Sequence, residues 1–134
     1  MKYKVLKKFD KYYLKDIHNL YKKEWWTKER KKKDIKKMLK NSDITIMFIK
    51  KGKVIAFARV LSDFVYKAEI YDVIVKEKYR KKGLGKKLIK EILTHKKLKN
   101  VEQFNLQCKE DIKSFYKKFG FKEVKNLTYM RKIK

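Results

Sequence analysis

Apolar side chains recur every second residue in some stretches of the chain and every third or fourth in others, and the switches between these periods divide it into elements. Tyr3 to Phe9 alternates and predicts a strand. Asp10 follows as an N-cap, and Tyr13, Ile17, Leu20 and Tyr21 then keep helical spacing. Thr27 offers a second cap, ahead of a strongly basic helix carrying Ile35, Met38 and Leu39 that Asn41–Asp43 ends. Ile44 to Lys50, "ITIMFIK", is β-branched and apolar, hence a strand. Gly52 makes a hairpin turn of the next three residues, and Val54 to Asp63 returns as the partner strand. Ala68 to Val75 is a third strand of this group. Leu84, Leu88, Ile89, Ile92 and Leu93 mark an amphipathic helix, and Gln103 to Cys108 a strand. Ile112, Phe115, Tyr116 and Phe119 predict a last helix, with Gly120 as its C-cap. "FKEV" and "TYMRKI" read as a closing pair of short strands.

The predicted order is β-α-α-β-β-β-α-β-α-β-β, an α/β chain with a mixed sheet and helices on its faces. No linker, low-complexity stretch or repeat interrupts it, so residues 1–134 read as one domain. Hydrophobic residues make up 43% of the chain, enough to build a core. No apolar run approaches the roughly 18 residues of a membrane span. The N-terminal "MKYKVLKKFDKYY" lacks the apolar centre of a signal peptide, and a cytoplasmic setting is the expectation. Cys108 stands alone, which excludes an intrachain disulfide framework; within "FNLQC" it reads as a buried strand cysteine. With only His18 and His95 besides, no metal site is expected.

Charge complicates the picture. The formal net charge is +26, which ordinarily points to nucleic acid or another polyanion. Here the lysines are spread over almost every element, so background composition accounts for the excess as well as function does. Any anionic ligand, a phosphorylated cofactor included, would feel this field.

Two of the four glycines, Gly83 and Gly85, stand in "EKYRKKGLGKKLI", between a strand ending at Val75 and a helix starting near Leu84. Such a junction presents unpaired N–H groups and the positive end of the helix dipole. Glycine lets the backbone turn and approach a phosphate without a Cβ in the way. Arg80, Lys81, Lys82, Lys86 and Lys87 add charge. The dinucleotide fingerprint fails because Leu88 stands where its third glycine belongs, and the P-loop spacing fails as well. A plain strand-to-helix turn with basic decoration is the alternative.

The stretch "DVIVKEKYRKKGLGKKLI" resembles the acetyl-coenzyme A binding motif of the GNAT superfamily of N-acetyltransferases, and "FYKKFGF" (Phe115 to Phe121) resembles its second hallmark, a helix-end tyrosine followed by Gly-Phe. The element order is also similar. The resemblance covers nearly the whole chain, strongest from Val54 to Val124 and weak before Trp25. It implies a GNAT fold, an acetyl transfer from acetyl-CoA to a primary amine by direct attack, and acetyl-CoA as the cofactor. It places the pantetheine arm along Val73, Ile74 and Val75. It places the pyrophosphate on the backbone of Arg80, Lys81, Lys82, Gly83, Leu84, Gly85 and Lys86. It assigns Tyr116 as the general acid that protonates the leaving thiolate, against a plain core role for a tyrosine on an apolar stripe. Seven residues before that tyrosine, where many members carry asparagine, this chain has Lys109, which could instead meet a phosphate.

Glu69 and Asp72 are the candidate general bases, and "AEI" around Glu69 resembles the stretch around the catalytic glutamate in the histone-acetylating branch. Strand alternation puts the two on opposite faces unless a bulge intervenes. The resemblance places the acceptor between the early helices and the sheet. There Trp25 or Trp26 could hold a cation and Asp63 could pair with an amine, beside the plainer readings of core packing and a turn cap. The acceptor itself, small molecule or protein, is open. No membrane partner is expected, nucleic acid is a less favoured one, and a homodimer is a family expectation. The competing readings are a basic nucleic-acid or ribosome-binding module and a GNAT-fold protein that binds coenzyme A without turnover. Tyr116 and a strand carboxylate favour the enzyme.

Overall fold

Five strands and four helices, β1 (Lys4–Leu6), α1 (Leu14–Lys22), α2 (Lys32–Lys40), β2 (Ile44–Lys50), β3 (Lys53–Ser62), β4 (Lys67–Val75), α3 (Leu84–Leu93), β5 (Gln103–Asn105) and α4 (Lys113–Lys117), follow one another in the computed structural model, which describes residues 1–134. The strands form one sheet in the order β1-β2-β3-β4-β5. The first three pairings are antiparallel. Lys51 and Gly52 close the β2–β3 hairpin, both at positive φ (49° and 75°), the two-residue geometry that matches strand twist. β5 pairs with β4 in parallel, so the chain must cross over, and α3 is the crossover.

Helices cover both faces of the sheet. Leu84, Leu88, Ile89 and Ile92 of α3 and Tyr116 of α4 pack with Ile46, Phe48, Ile55, Ala68 and Ile70. On the other face Ile17, Leu20 and Tyr21 of α1 and Ile35 and Leu39 of α2 pack with Met47, Ile49, Phe57 and Ile74. β2 is thus buried on both sides, which explains an apolar run interrupted before Lys50 only by the buried Thr45. Each such side chain contributes roughly 1.5–3 kcal/mol of burial.

A bulge interrupts β4. Phe57 pairs with Ile74 and Arg59 with Tyr71, so three steps on β4 oppose two on β3. Asp72 takes the left-handed backbone that this needs, at φ 54°. The extra residue switches the strand's faces: Ala68 and Ile70 join the α3 core, whereas Ile74 joins the α1–α2 core.

Several sequence expectations need correction. No strand follows α4. The "FKEV" and "TYMRKI" segments make no ladder, and Val124, Leu127, Tyr129, Met130 and Ile133 are exposed. Alternation states a preference, but a strand needs a partner's backbone, and lysine and arginine leave this segment little to bury. Thr27 caps no helix; its Oγ1 donates to the Tyr21 carbonyl at 2.8 Å, and α2 starts five residues later, at Lys32. Cys108 lies beyond the end of β5 and is exposed and free, not a buried strand residue.

Candidate active site

The β4 bulge shapes the site. Only Lys67, Ala68 and Glu69 of β4 pair with β5. Beyond Glu69 the β5-side edge of β4 has no strand partner, so backbone polar groups near Val73, Ile74 and Val75 stay open to another extended chain. A bulge bends its strand and increases local twist, which carries β4 away from β5.

The loop after β4 ends in an anion cradle. Gly83 is the N-cap of α3 and sits at φ 81°, with no side chain to cap the helix. Lys87 is the first residue of the helix whose N–H reaches back, to Gly83 O at 3.2 Å. The N–H groups of Leu84, Gly85 and Lys86 therefore lack helical partners and face the same end as the dipole. Lys81 is also left-handed, at φ 62°. Arg80 fixes the loop rather than reaching out from it: its Nε donates to the Val75 carbonyl at 2.9 Å and its Nη2 to Glu24 at 2.8 Å. Lys82 and Lys86 are exposed, and the Leu84 side chain is buried in the core. Gly85 answers to a second constraint. A Cβ there would stand 3.4 Å from the Phe115 ring, so this glycine lets α3 approach α4. Open amides, a left-handed glycine and a free strand edge together fit a pyrophosphate and an extended pantetheine arm.

Tyr116, on α4, is largely buried, and its phenol donates to no protein acceptor. Its oxygen is also not sealed away without a partner, so it keeps some access from outside. Burial, with a smaller push from neighbouring Cys108, raises its pKa to about 12 and keeps the phenol protonated throughout the neutral range.

The bulge brings both candidate bases to one face, but in unequal states. Asp72 is buried, and its Oδ2 accepts from Arg59 Nε at 2.7 Å, Tyr21 Oη at 2.8 Å and Arg30 Nη1 at 2.9 Å. Burial alone would raise its pKa, but the hydrogen bond and charge of Arg59, the charge of Arg30 and the Tyr21 bond outweigh that and hold it below the usual carboxylate value. A carboxylate so held is a weak proton acceptor, which corrects the reading of Asp72 as a general base. Burial, then the Asp72 charge, pushes the Tyr21 phenol far up. Glu69 is half-buried at the fork where β4 leaves β5, and one oxygen accepts from Asn105 Nδ2 at 2.9 Å. Its other oxygen is unclaimed.

Asp63 follows the plainer of its two readings, not the amine-pairing one. Its Oδ1 accepts from the N–H groups of Val65, Tyr66 and Lys67 at 2.9, 2.7 and 3.1 Å. It caps the β3–β4 turn, and these backbone bonds lower its pKa. Trp25 and Trp26 are not core residues but exposed ones in the α1–α2 connection. The ammonium of Lys109 stands over the Trp25 ring at 4.6 Å, so this lysine meets an indole. The sequence reading missed Arg59 and Arg30; lone arginines in "FARV" and "KERKK" gave no local signal.

A helix-covered mixed sheet, splayed beside an amide cradle and a buried tyrosine, defines an acyl-transferring class of protein. Comparison with known sequences agrees. The model of the acetyltransferase (GNAT) domain matches residues 41–123, and the chain belongs to that family. It is 36% identical to an uncharacterized N-acetyltransferase, ycf52, of Pyropia yezoensis, a match spanning 84% of this chain and 74% of that one. It is 33% identical to the Porphyra purpurea protein of the same name, over 86% and 75%. A solved GNAT family acetyltransferase from Streptococcus pneumoniae superposes with TM-score 0.80 at 23% identity, over 99% of this chain and 98% of that one. The protein is an acetyltransferase, and its family generally uses acetyl-CoA.

Proposed function

We propose that the chain transfers an acetyl group from acetyl-CoA to a primary amine in a ternary complex, without an enzyme-bound acyl intermediate. The observation that carries this reading is the conjunction of the α3 amide cradle with the unpaired edge of β4. The donor, when bound, supplies an activated acetyl thioester. Leu84, Gly85 and Lys86 would hold its diphosphate through their N–H groups, with Lys82 and Lys86 adding charge. Val73, Ile74 and Val75 would pair with its extended arm. Glu69 takes the amine's proton, directly or through water, because it keeps an acceptor oxygen at the fork. Tyr116 donates to the departing sulfur, a role that needs a phenol still protonated at neutral pH. Trp25, with Lys109 against it, borders the acceptor side. No helix is long and apolar enough to cross a membrane. The expectation of a cytoplasmic setting finds no support among the relatives: two Arabidopsis thaliana proteins are named chloroplastic.

Calorimetric titration with acetyl-CoA at two salt concentrations, with RNA as competitor, tests the donor site. Submillimolar binding that survives moderate salt is expected. Binding that RNA displaces and salt abolishes would reduce the loop to a basic anion trap. Gly83→Val provides a second check. The left-handed backbone costs a side chain about 1–2 kcal/mol, so the cradle should open and KM for acetyl-CoA rise at least tenfold or so; an unchanged KM would remove the loop from the site.

A further inference from the structure

The charges beneath the acceptor side do not balance. Two guanidiniums, Arg59 and Arg30, share one carboxylate, Asp72. No other carboxylate lies within ion-pair distance of either arginine. The Arg59 side chain is only 11% exposed. Yet just its Nε is used; neither Nη has a protein acceptor, and neither is shut away without one. Its guanidinium lies 4.9 Å over the ring of Tyr71, which is itself exposed at the surface. Buried cations are normally matched, and a guanidinium with two free N–H edges is shaped for an oxyanion.

We propose that Arg59, backed by Arg30, binds an anionic group of the acceptor, so that the substrate is a small amine carrying a carboxylate or phosphate. This rests on the acetyl-transfer reading above. Leu61 pairs with Glu69 and Arg59 with Tyr71, so the base and the anion site lie two residues apart along the sheet, roughly 7 Å. That separation suits an acceptor whose amine and oxyanion are a few bonds apart. The shallow exposure of Arg59 admits a small molecule more readily than a protein side chain held on its own backbone. Asp72 is then a positioning residue, fixing the guanidinium through Nε and leaving both Nη groups to the substrate.

Matched amines that differ only in the anion test this: phosphoethanolamine against ethanolamine, and 4-aminobutyrate against butylamine. Each is titrated calorimetrically into the protein and assayed by thiol release with acetyl-CoA. The anionic member of at least one pair should bind and react more efficiently, by roughly 10²-fold. Arg59→Gln should bring that ratio close to one while the affinity for acetyl-CoA holds. Which pair responds tells phosphate from carboxylate. Equal use of both members of both pairs would overturn the proposal, and so would an Arg59→Gln variant that loses both members in the same proportion. If Arg59→Gln does not fold, Arg30→Gln, at the more exposed partner, should still lower the ratio; an unchanged ratio there counts against the proposal. Anion-selective binding without thiol release would leave this site standing and sink the acetyl-transfer reading instead. Thiol release without anion selectivity would do the reverse.

Discussion

At the scale of single residues, the two tyrosines of the core show how one side chain type is put to opposite uses. Tyr21 spends its hydroxyl on Asp72, whereas Tyr116 gives its own to no protein group. Tyr116→Phe should therefore leave the melting temperature nearly unchanged and lower kcat on the order of 10²-fold, with KM for acetyl-CoA within a few-fold; thermal scans beside steady-state kinetics would show it, and unaltered turnover would return Tyr116 to a packing role. Asp72→Asn should first be felt in stability. Removing one partner of a buried ionic cluster costs about 3–5 kcal/mol, read by urea unfolding. Because its folded pKa lies below the unfolded value, Asp72 stabilises the protein fully above about pH 4 and loses that contribution as pH falls through the folded value. Wild type should thus lose stability in that acid range, and Asp72→Asn should lose much less there. Glu69→Gln should lower kcat with acetyl-CoA affinity intact, as calorimetry and initial rates would confirm.

At the scale of elements, the parts with a strong local rule were legible in the sequence. The β2–β3 hairpin needed only its glycine and two β-branched runs, and α3 runs from Leu84 to Leu93, where its apolar stripe placed it. The left-handed turn at Gly83 was legible for a similar reason: a glycine between a strand and an amphipathic helix marks the junction. What escaped depended on distant partners. Alternation set Glu69 and Asp72 on opposite faces unless a bulge intervened, and a register shift that only β3 reveals puts them on one. Arg59 and Arg30 come together from a strand and a loop 29 positions apart, so no window of sequence holds both. Cys108 was misplaced by its neighbours, since a residue just past a strand end looks like core until the backbone is traced, whereas Asp63 took the turn-cap reading its surroundings already offered. The motif also concealed a division of labour. Gly83 carries the left-handed turn, whereas Gly85 makes room for Phe115.

At the scale of the whole molecule, a charge of +26 acts on every approaching anion. Acetyl-CoA should reach the cradle faster at low salt. Its KM should rise several-fold between about 50 and 300 mM ionic strength, as the screening length contracts; a flat profile across that range would assign the positive charge no part in capture. The short parallel contact between β4 and β5 has a consequence for folding. β2, β3 and β4 follow one another directly and can assemble as a local meander, while β5 must return across the whole α3 crossover to gain three paired residues. Long-range pairing is slow and weakly rewarded, so the wall of the cleft at β5, like the short β1 edge, locks late and opens early. Hydrogen exchange should show quick amides over Gln103–Asn105 beside slow ones in β2 and β3, and whatever fills the fork should slow the quick ones most.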